Sequence, residues 1–462
     1  MDTTIGNSVD TYTTIMDSLR DKKISFEEKF LFQTDLYPTL STQTLDKQWA
    51  HRVQRLITFF NKITSESKES SLDRFKSAFS KRYETREMPL TTVLDTEVGI
   101  GYIQNNGAND ATPFLDGLQI PYKGGQEQQY TTTPFQRILE EKLEENTYSI
   151  EITDQDVKDF DENWNDLPDT MSAMVQLVRI DGEEKAVLGG IGGSSAANLL
   201  GRFTTGDQEV FDLVKEITDV EQRIHKNHIL AEIIHLPESR TGNVIRRETL
   251  REYEIPYLGK ASVDEAHQIP IEDLMISVQR RRVLLRSKKH NKYVIPRLSN
   301  AHNYSANALP IYHFLCDLQK QAVRPFIGFG WSTLLQKKAF LPRVTYKDFI
   351  LSKARWVIRK KDITELQESD PSSLVAKVTE WRNQHNMPQM VQLVDNDNTL
   401  LIDLNNELSI QMWLDTVKKR SQFTLEEFLF TEDAVVKRGD EGFTNQMVFC
   451  YYNQQKLEYI EN

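Results

Sequence analysis

Cysteine is nearly missing from this chain. Cys316 and Cys450 are the only two in 462 residues, so one bridge at most is possible. Neither a disulfide framework nor a cysteine-built metal site can rest on them, and the count fits a reducing compartment. Long apolar runs are missing too: none approaches the ~20 residues that cross a bilayer as a helix. The first residues, MDTTIGNSVDTYTT, are polar and acidic, which excludes a signal or transit peptide. The expectation is a cytoplasmic protein with no membrane span. No segment repeats at a fixed period. Positive charge is in deficit, with a formal net charge of -12, and bulk negative charge opposes indiscriminate binding of nucleic acid.

Against these absences stand ordinary amounts of everything a globular protein needs. Hydrophobic residues make up 39% and charged residues 27% of the chain. The length suits roughly three domains of ~150 residues or one large composite. Residues 11–86 read as mainly helical. LDKQWAHRVQRLITFFNKI places Trp49, Val53, Leu56, Ile57 and Phe60 at helical spacing. MPLTTVLDTEVGIGYI (88–103) turns strand-like, and 104–133 reads as a long loop rich in Gly, Asn, Gln and Thr. From 171 helices and strands alternate. The predicted class is α/β to α+β, a composite of mixed sheets with flanking helices. Four portions are expected: 1–86 helical, 87–250 α/β with a Gly-rich turn, 251–375 β-rich, and 376–462 α/β.

Four constellations carry candidate chemistry. Five of the 20 glycines fall between 189 and 201, in GGIGGSSAANLLGRF. A strand, a Gly-rich turn and then a helix would make Gly192, Gly193, Ser194 and Ser195 a nest of N–H groups for an anion, with Arg202 just beyond. A tight turn with Arg202 in a surface ion pair is the equal alternative. LPESRTGNVIRRETLREYEIPY concentrates Arg240, Arg246, Arg247 and Arg251, whose forks suit phosphate or carboxylate, or the neighbouring glutamates. Third is 279–305, QRRRVLLRSKKHNKYVIPRLSNAHNYS. Eight of its first nineteen residues are Arg or Lys and none is acidic. It reads as a β-hairpin with a basic tip, suited to a nucleic-acid backbone, with a solvated hairpin as the plainer alternative. Its His302 has polar neighbours on both sides, as turn residues also do. The aspartates of TDQDVKDFDENWND lack the glycine and terminal glutamate of a calcium loop, so they read as helix caps, and no metal site is expected.

Seven stretches in order, FQTDLYPTL, KRYETREMPLTTVLDTEVGIGY, GGSSAANLLGRF, AEIIHLPESRTGNVIRR, LRSKKHNKYVIPRLSNAHNYS, LPIYHFLCDLQ and FLPRVTYKDFILSKARW, resemble landmarks of the class I lantibiotic dehydratases. The resemblance runs from about residue 30 to the end. It implies a glutamylation domain that takes glutamate from glutamyl-tRNA, its co-substrate, and esterifies Ser or Thr of a ribosomal precursor peptide. No bound cofactor is implied. A separate elimination step then leaves dehydroalanine or dehydrobutyrine. The resemblance matches Asp35 and Arg202 to positions used in glutamylation. It aligns Arg240 and Arg297 with recurring landmark arginines, read as substrate- or RNA-binding, and it puts the basic hairpin, with Arg280, Arg281, Arg282, Lys288 and Lys289, on the RNA side; Arg246, Arg247 and His302 join these as binding candidates. Asp35, Arg202, Arg240 and Arg297 could each instead be structural, since a buried Arg–Asp pair would serve the fold equally well. The family's amino-terminal segment and its elimination domain are not found here. The expected partners are those segments or a separate elimination protein, with a cyclase as a further one. The alternative function is a non-catalytic RNA- or peptide-binding scaffold, or a truncated remnant.

Overall fold

Asp181 and Gly182 both carry positive φ, the signs a type I′ turn needs, and they fold Thr170–Ile180 back on Glu183–Gly192. This hairpin is the centre of a seven-stranded sheet. Phe349–Ser352, Arg343–Tyr346 and Ser149–Ile152 extend it on one side and Met447–Tyr452 on the other, while Phe326–Ile327 pairs with the end of Glu183–Gly192. The helix Lys47–Ile63 packs on it, burying Trp49, Val53, Leu56, Ile57 and Phe60 as the spacing requires. The structure, a computed structural model, describes residues 7–33, 35, 37, 44–65, 70–102, 133–143, 147–236, 242–304, 309–331, 338–395, 398–430 and 433–461. Nearly all of the Gly- and Gln-rich stretch read as a loop, and Arg240, lie outside them.

A second sheet has six strands, in the order Met88–Pro89, Leu274–Gln279, Arg282–Ser287, Lys292–Arg297, Ile229–Ile234 and Tyr253–Pro256. Pairing is antiparallel as far as Lys292–Arg297 and parallel beyond it. The helices Ser71–Tyr83 and Pro310–Leu318 complete its core. A third, antiparallel sheet holds Arg355–Arg359, Gln422–Glu427, Met390–Asp395 and Asn398–Asp403, covered by Pro371–Gln384 and Glu407–Val417 around Trp356 and Trp413. The fold is therefore α+β with mixed sheets. The seven-stranded sheet collects strands from residues 149 to 452, so the sheets do not follow the four portions read along the chain. Among the described residues no helix is long and apolar enough to cross a membrane.

One local expectation changes and another, the capped acidic turn, holds. MPLTTVLDTEVGIGYI is strand only at Met88–Pro89. Leu90–Leu94 form a helical turn that buries Leu90, Val93 and Leu94 against the second sheet, a tertiary contact that overrides the β-branched composition. The acidic TDQDV stretch is a 3₁₀ turn over Asp154–Val157, with Thr153 and Asp156 capping each other.

Candidate functional site

The Gly-rich strand and the SNAHNY segment meet. After Gly193 the chain makes turns and then a 3₁₀ turn at Gly201–Phe203, and the next α-helix begins only at Gln208. The nest expected at a helix N-terminus over Gly192, Gly193, Ser194 and Ser195 is therefore corrected. Its N–H groups turn inward: Gly193 donates to the Pro325 carbonyl (2.7 Å), Ser195 to Asn198 Oδ1 (3.0 Å), Ala196 to Thr170 Oγ1 (2.9 Å) and Ala197 to Ser195 Oγ (3.1 Å). Side chains do here what an anion would have done. Ser194 and Ser195 cap no helix and are buried, Ser194 Oγ lying 2.8 Å from Gln319 Oε1. Asn198 reaches across to the Leu298 and Asn300 carbonyls at 2.5 and 3.3 Å. Glycine is needed at 201 because a Cβ there would sit 2.0 Å from the Ser299 carbonyl oxygen. Gly201→Ala is expected to cost about 1–3 kcal/mol through forced displacement of this seam; a lowered unfolding midpoint checks it.

Beneath the seam lies a buried network of charge. Arg297 donates to the Ser194 carbonyl (3.0 Å) and pairs with Asp169. His225 (2.8 Å) and Lys456 (3.3 Å) share that carboxylate. Glu232 receives Ser299 N (2.6 Å), Arg247 (3.0 Å) and Arg251 (3.2 Å), and Glu221 receives Arg251 (2.6 Å) and Thr170 (2.5 Å). Burial opposes ionisation of Asp169 and Glu221. Nevertheless Arg297, with His225 and Lys456, holds Asp169 well below the usual carboxylate range, and Arg251, with Arg297, lowers Glu221. Of the two roles open to Arg297 from sequence, RNA binding or a buried Arg–Asp pair, the structure has the buried pair. Asp169, Glu221, Glu232 and Lys456 were not singled out from sequence. Glu232 alone carried a signal, as a carboxylate inside the apolar run ILAEII.

Above the seam opens a cleft of about 1040 Å³, lined by Gly189–Ser194, Asn198, Asn300–Tyr304, Asp317 and Lys320. His302 borders it, its Nδ1 2.9 Å from Tyr312 Oη. Lys320 holds its ammonium 4.7 Å over the Tyr304 ring, and burial pushes its pKa down. A second cavity of about 800 Å³ shares the wall Ser194, Gln319 and Gln321–Val323 with the first and is bordered by Asp169, His225, His228, Arg282, Tyr293, Arg297 and Lys456.

The basic run does not form one tip. Arg280 and Arg281 make the turn before strand Arg282–Ser287, and Lys288 and Lys289 follow its other end. Six strand residues at ~3.3 Å each hold the two groups roughly 20 Å apart. Lys289 is occupied, its ammonium on the carbonyls of Glu265 (2.6 Å) and Ala266 (3.2 Å). Arg280, Arg281 and Arg282 are exposed, with no acidic partner among the described residues.

In a further corner, Arg202 Nη2 lies 3.0 Å from Asp35 Oδ1, joining two residues 167 positions apart. Phe203 lies under the guanidinium, and Arg202 Nε is enclosed without an acceptor among the described residues. Tyr37 packs on Gly206, where a Cβ would meet its ring at 2.2 Å. Burial and the neighbouring Asp35 raise its phenol pKa, and Arg202 and Arg246 act against that rise. Arg246 is exposed, whereas Arg247 belongs to the Glu232 network. Among the described residues no group of three or more His, Cys, Asp or Glu can hold a metal.

A family profile described as Lantibiotic dehydratase, N terminus, matches residues 2–412. The subtilin biosynthesis protein SpaB of Bacillus subtilis is 22% identical, over 98% of this chain and 44% of that protein. The nisin biosynthesis protein NisB of Lactococcus lactis subsp. lactis is 19% identical, over 94% and 44%. The chain thus spans less than half the length of either. Among solved structures, the tRNA dependent lantibiotic dehydratase MibB from Microbispora sp. 107891 superposes with a TM-score of 0.71 at 19% identity, over 89% of this chain and 40% of that one. The glutamylation domain of TbtB, from thiomuracin biosynthesis, bound to 5′-phosphodesmethylglutamycin, gives 0.56 at 14% identity, over 88% and 50%.

Proposed function

We propose a function from one premise: the chain belongs to the lantibiotic dehydratase family, whose N-terminal profile covers residues 2–412. It carries the glutamyl-transfer half of peptide dehydration, acting in the cytoplasm on glutamyl-tRNA and a ribosomal precursor peptide. A Ser or Thr hydroxyl of the peptide attacks the ester carbonyl that joins glutamate to the RNA. A tetrahedral oxyanion forms, the RNA hydroxyl leaves with the proton the nucleophile gives up, and glutamate ends on the peptide oxygen. Hydroxide is a poor leaving group, and the new ester turns the departing group into a carboxylate. Its elimination, and any later cyclisation, belong to partner segments or proteins.

One observation carries this reading: two separated landmarks, GGSSAANLLGRF and PRLSNAHNY, are stitched together through Asn198 and Gly201 to wall a cleft of about 1040 Å³, the size for the reacting ends of two larger molecules. Asp35 and Arg202, in a corner outside the lining of this cleft, supply a fixed guanidinium for a phosphate, a carboxylate or the developing oxyanion of a reactant that reaches both. The test is transfer of labelled glutamate from glutamyl-tRNA to a precursor peptide, with the family's remaining segments supplied. RNA binding without any transfer would favour the scaffold alternative.

The exposed arginine end makes a separate prediction. Neutralising Arg280, Arg281 and Arg282 together is expected to weaken tRNA binding and flatten its salt dependence by up to about three in log–log slope. Neutralising Lys288 and Lys289 is expected to do less, because Lys289 already serves backbone carbonyls. Binding measured across a salt series distinguishes the two ends, and an unchanged slope in both variants marks the run as solvated surface.

A further inference from the structure

We infer that the second cavity holds one unpaired nucleotide of the RNA, its phosphate between Arg282 and Lys456 and its base against Tyr293 and His228. This rests on the RNA-dependent reading above and adds a place and a mode of contact. The cavity border contains three permanent cations, Arg282, Arg297 and Lys456, against one carboxylate, Asp169. That carboxylate is already engaged by Arg297, His225 and Lys456, so it adds little repulsion. In a protein of net charge -12 such a local excess selects for an anion. Arg282 is exposed and has no acidic partner among the described residues, and two of the three ammonium hydrogens of Lys456 are directed at Leu167 O and Asp169. Both keep donors for a phosphate.

The aromatic side narrows the ligand to one with a base. Tyr293 is 39% exposed and lies nearly parallel to His228, with ring centroids 6.0 Å apart and planes at 30°. Burial, and then the neighbouring His225, lower the His228 pKa, so its ring is neutral near pH 7 and suited to stacking. Cations beside an exposed aromatic shelf are the pairing that proteins use for single-stranded nucleic acid, because every base has a π-face.

The turn that leads into Arg282 points the same way. Arg280 and Arg281 both hold positive φ, 48° and 61°. Two-residue hairpin turns of this kind favour Asn-Gly, which adopts the conformation without strain. Arginines kept there place two further cations next to Arg282, along the path of a phosphate chain leaving the cavity. A free mononucleotide would have no use for them.

The experiment uses the full chain and a fluorescein-labelled single-stranded hexaribonucleotide, with a duplex of the same sequence and AMP as comparisons. Tyr293→Ala is expected to weaken hexamer binding about tenfold and leave duplex binding unchanged, and Tyr293→Phe to restore it. Arg282→Ala is expected to weaken hexamer binding and flatten its salt slope by about 0.7. Wild-type failure to bind the hexamer, or wild-type affinity in both Tyr293→Ala and Arg282→Ala, overturns the site. AMP displacing the hexamer at equal concentration assigns the cavity to a free nucleotide instead and overturns the RNA assignment. Failed glutamyl transfer with these binding results intact would count against the proposed function and leave the site standing. Intact transfer with wild-type binding in both variants would do the reverse.

Discussion

Replacing Arg202 with alanine is expected to lower glutamyl transfer about 100- to 1000-fold, the scale on which loss of one preorganised donor to a developing oxyanion is felt. The fold is expected to survive, and the geometry says why. The Arg202 and Asp35 side chains are 27% and 24% exposed, and a single pair of that exposure contributes ~1 kcal/mol or less to stability. The guanidinium nevertheless has a fixed pose, with Asp35 at one end and Phe203 beneath it. Arg202→Lys keeps the charge and loses the planar fork, so it is expected to recover only part of the rate. Asp35→Asn, which keeps the side chain's shape and removes its charge, is expected to fall between wild type and Arg202→Ala. The readouts are the initial rate of labelled glutamate transfer and the thermal midpoint, taken on the same preparations. Full transfer by Arg202→Ala would remove the residue from the reaction. A midpoint that fell with the rate would make the pair structural.

How far this site could be read in advance depends on what held each piece together. Periodicity announced the helix Lys47–Ile63 and the strands around 170–190 and 274–297, because burial of a face sets those patterns. Contacts across the chain leave no local pattern, and those are what the reading missed. The segment after Gly193 has a helix's composition. It fails to become one because Thr170, Pro325 and Ser299, all distant in sequence, take up its backbone or occupy its space. The basic run has no internal sign that Arg280 and Arg281 form a two-residue turn, so its charge splits to the two ends of one strand. Arg297 looked like its neighbours in the run. It shares a strand face with exposed Tyr293, so alternation gives no hint of burial; the Ser194 carbonyl and an aspartate 128 positions away enclose it. Asp35 emerged from resemblance alone, and although Arg202 stood out beside the Gly-rich turn, nothing in 167 residues of separation says that the two meet.

The largest expected loss of stability comes from the network beneath the seam. Glu221→Ala is expected to destabilise the protein by about 2–3 kcal/mol, because it takes one of two carboxylates from Arg251, whose side chain is only 3% exposed and keeps Glu232, and removes the acceptor for Thr170. Replacing both partners, as Glu221→Gln with Arg251→Met, is expected to cost less than Glu221→Ala, since the guanidinium that lost its better partner is removed with it and Glu232 keeps Arg247. With several separate hydrophobic cores among the described residues, unfolding need not be two-state, so the comparison is one of denaturation midpoints across the single and double variants. The same network sets a pH limit. Asp169 and Glu221 are held below their unfolded values of ~3.9 and ~4.3, so the stability they contribute is present in full above those values. It is lost as pH falls through the lowered folded-state values. Wild type is therefore expected to lose stability steeply below about pH 4, and Glu221→Ala less steeply, having lost one of the two groups. Function is expected to follow, because Ala196 hangs on Thr170, Thr170 on Glu221, and Ser299 on Glu232. The walls of the cleft stand on these carboxylates. Glu221→Ala assayed well below its own midpoint is thus expected to transfer glutamate poorly while still folded, and wild-type rates there would show that the seam holds without the network.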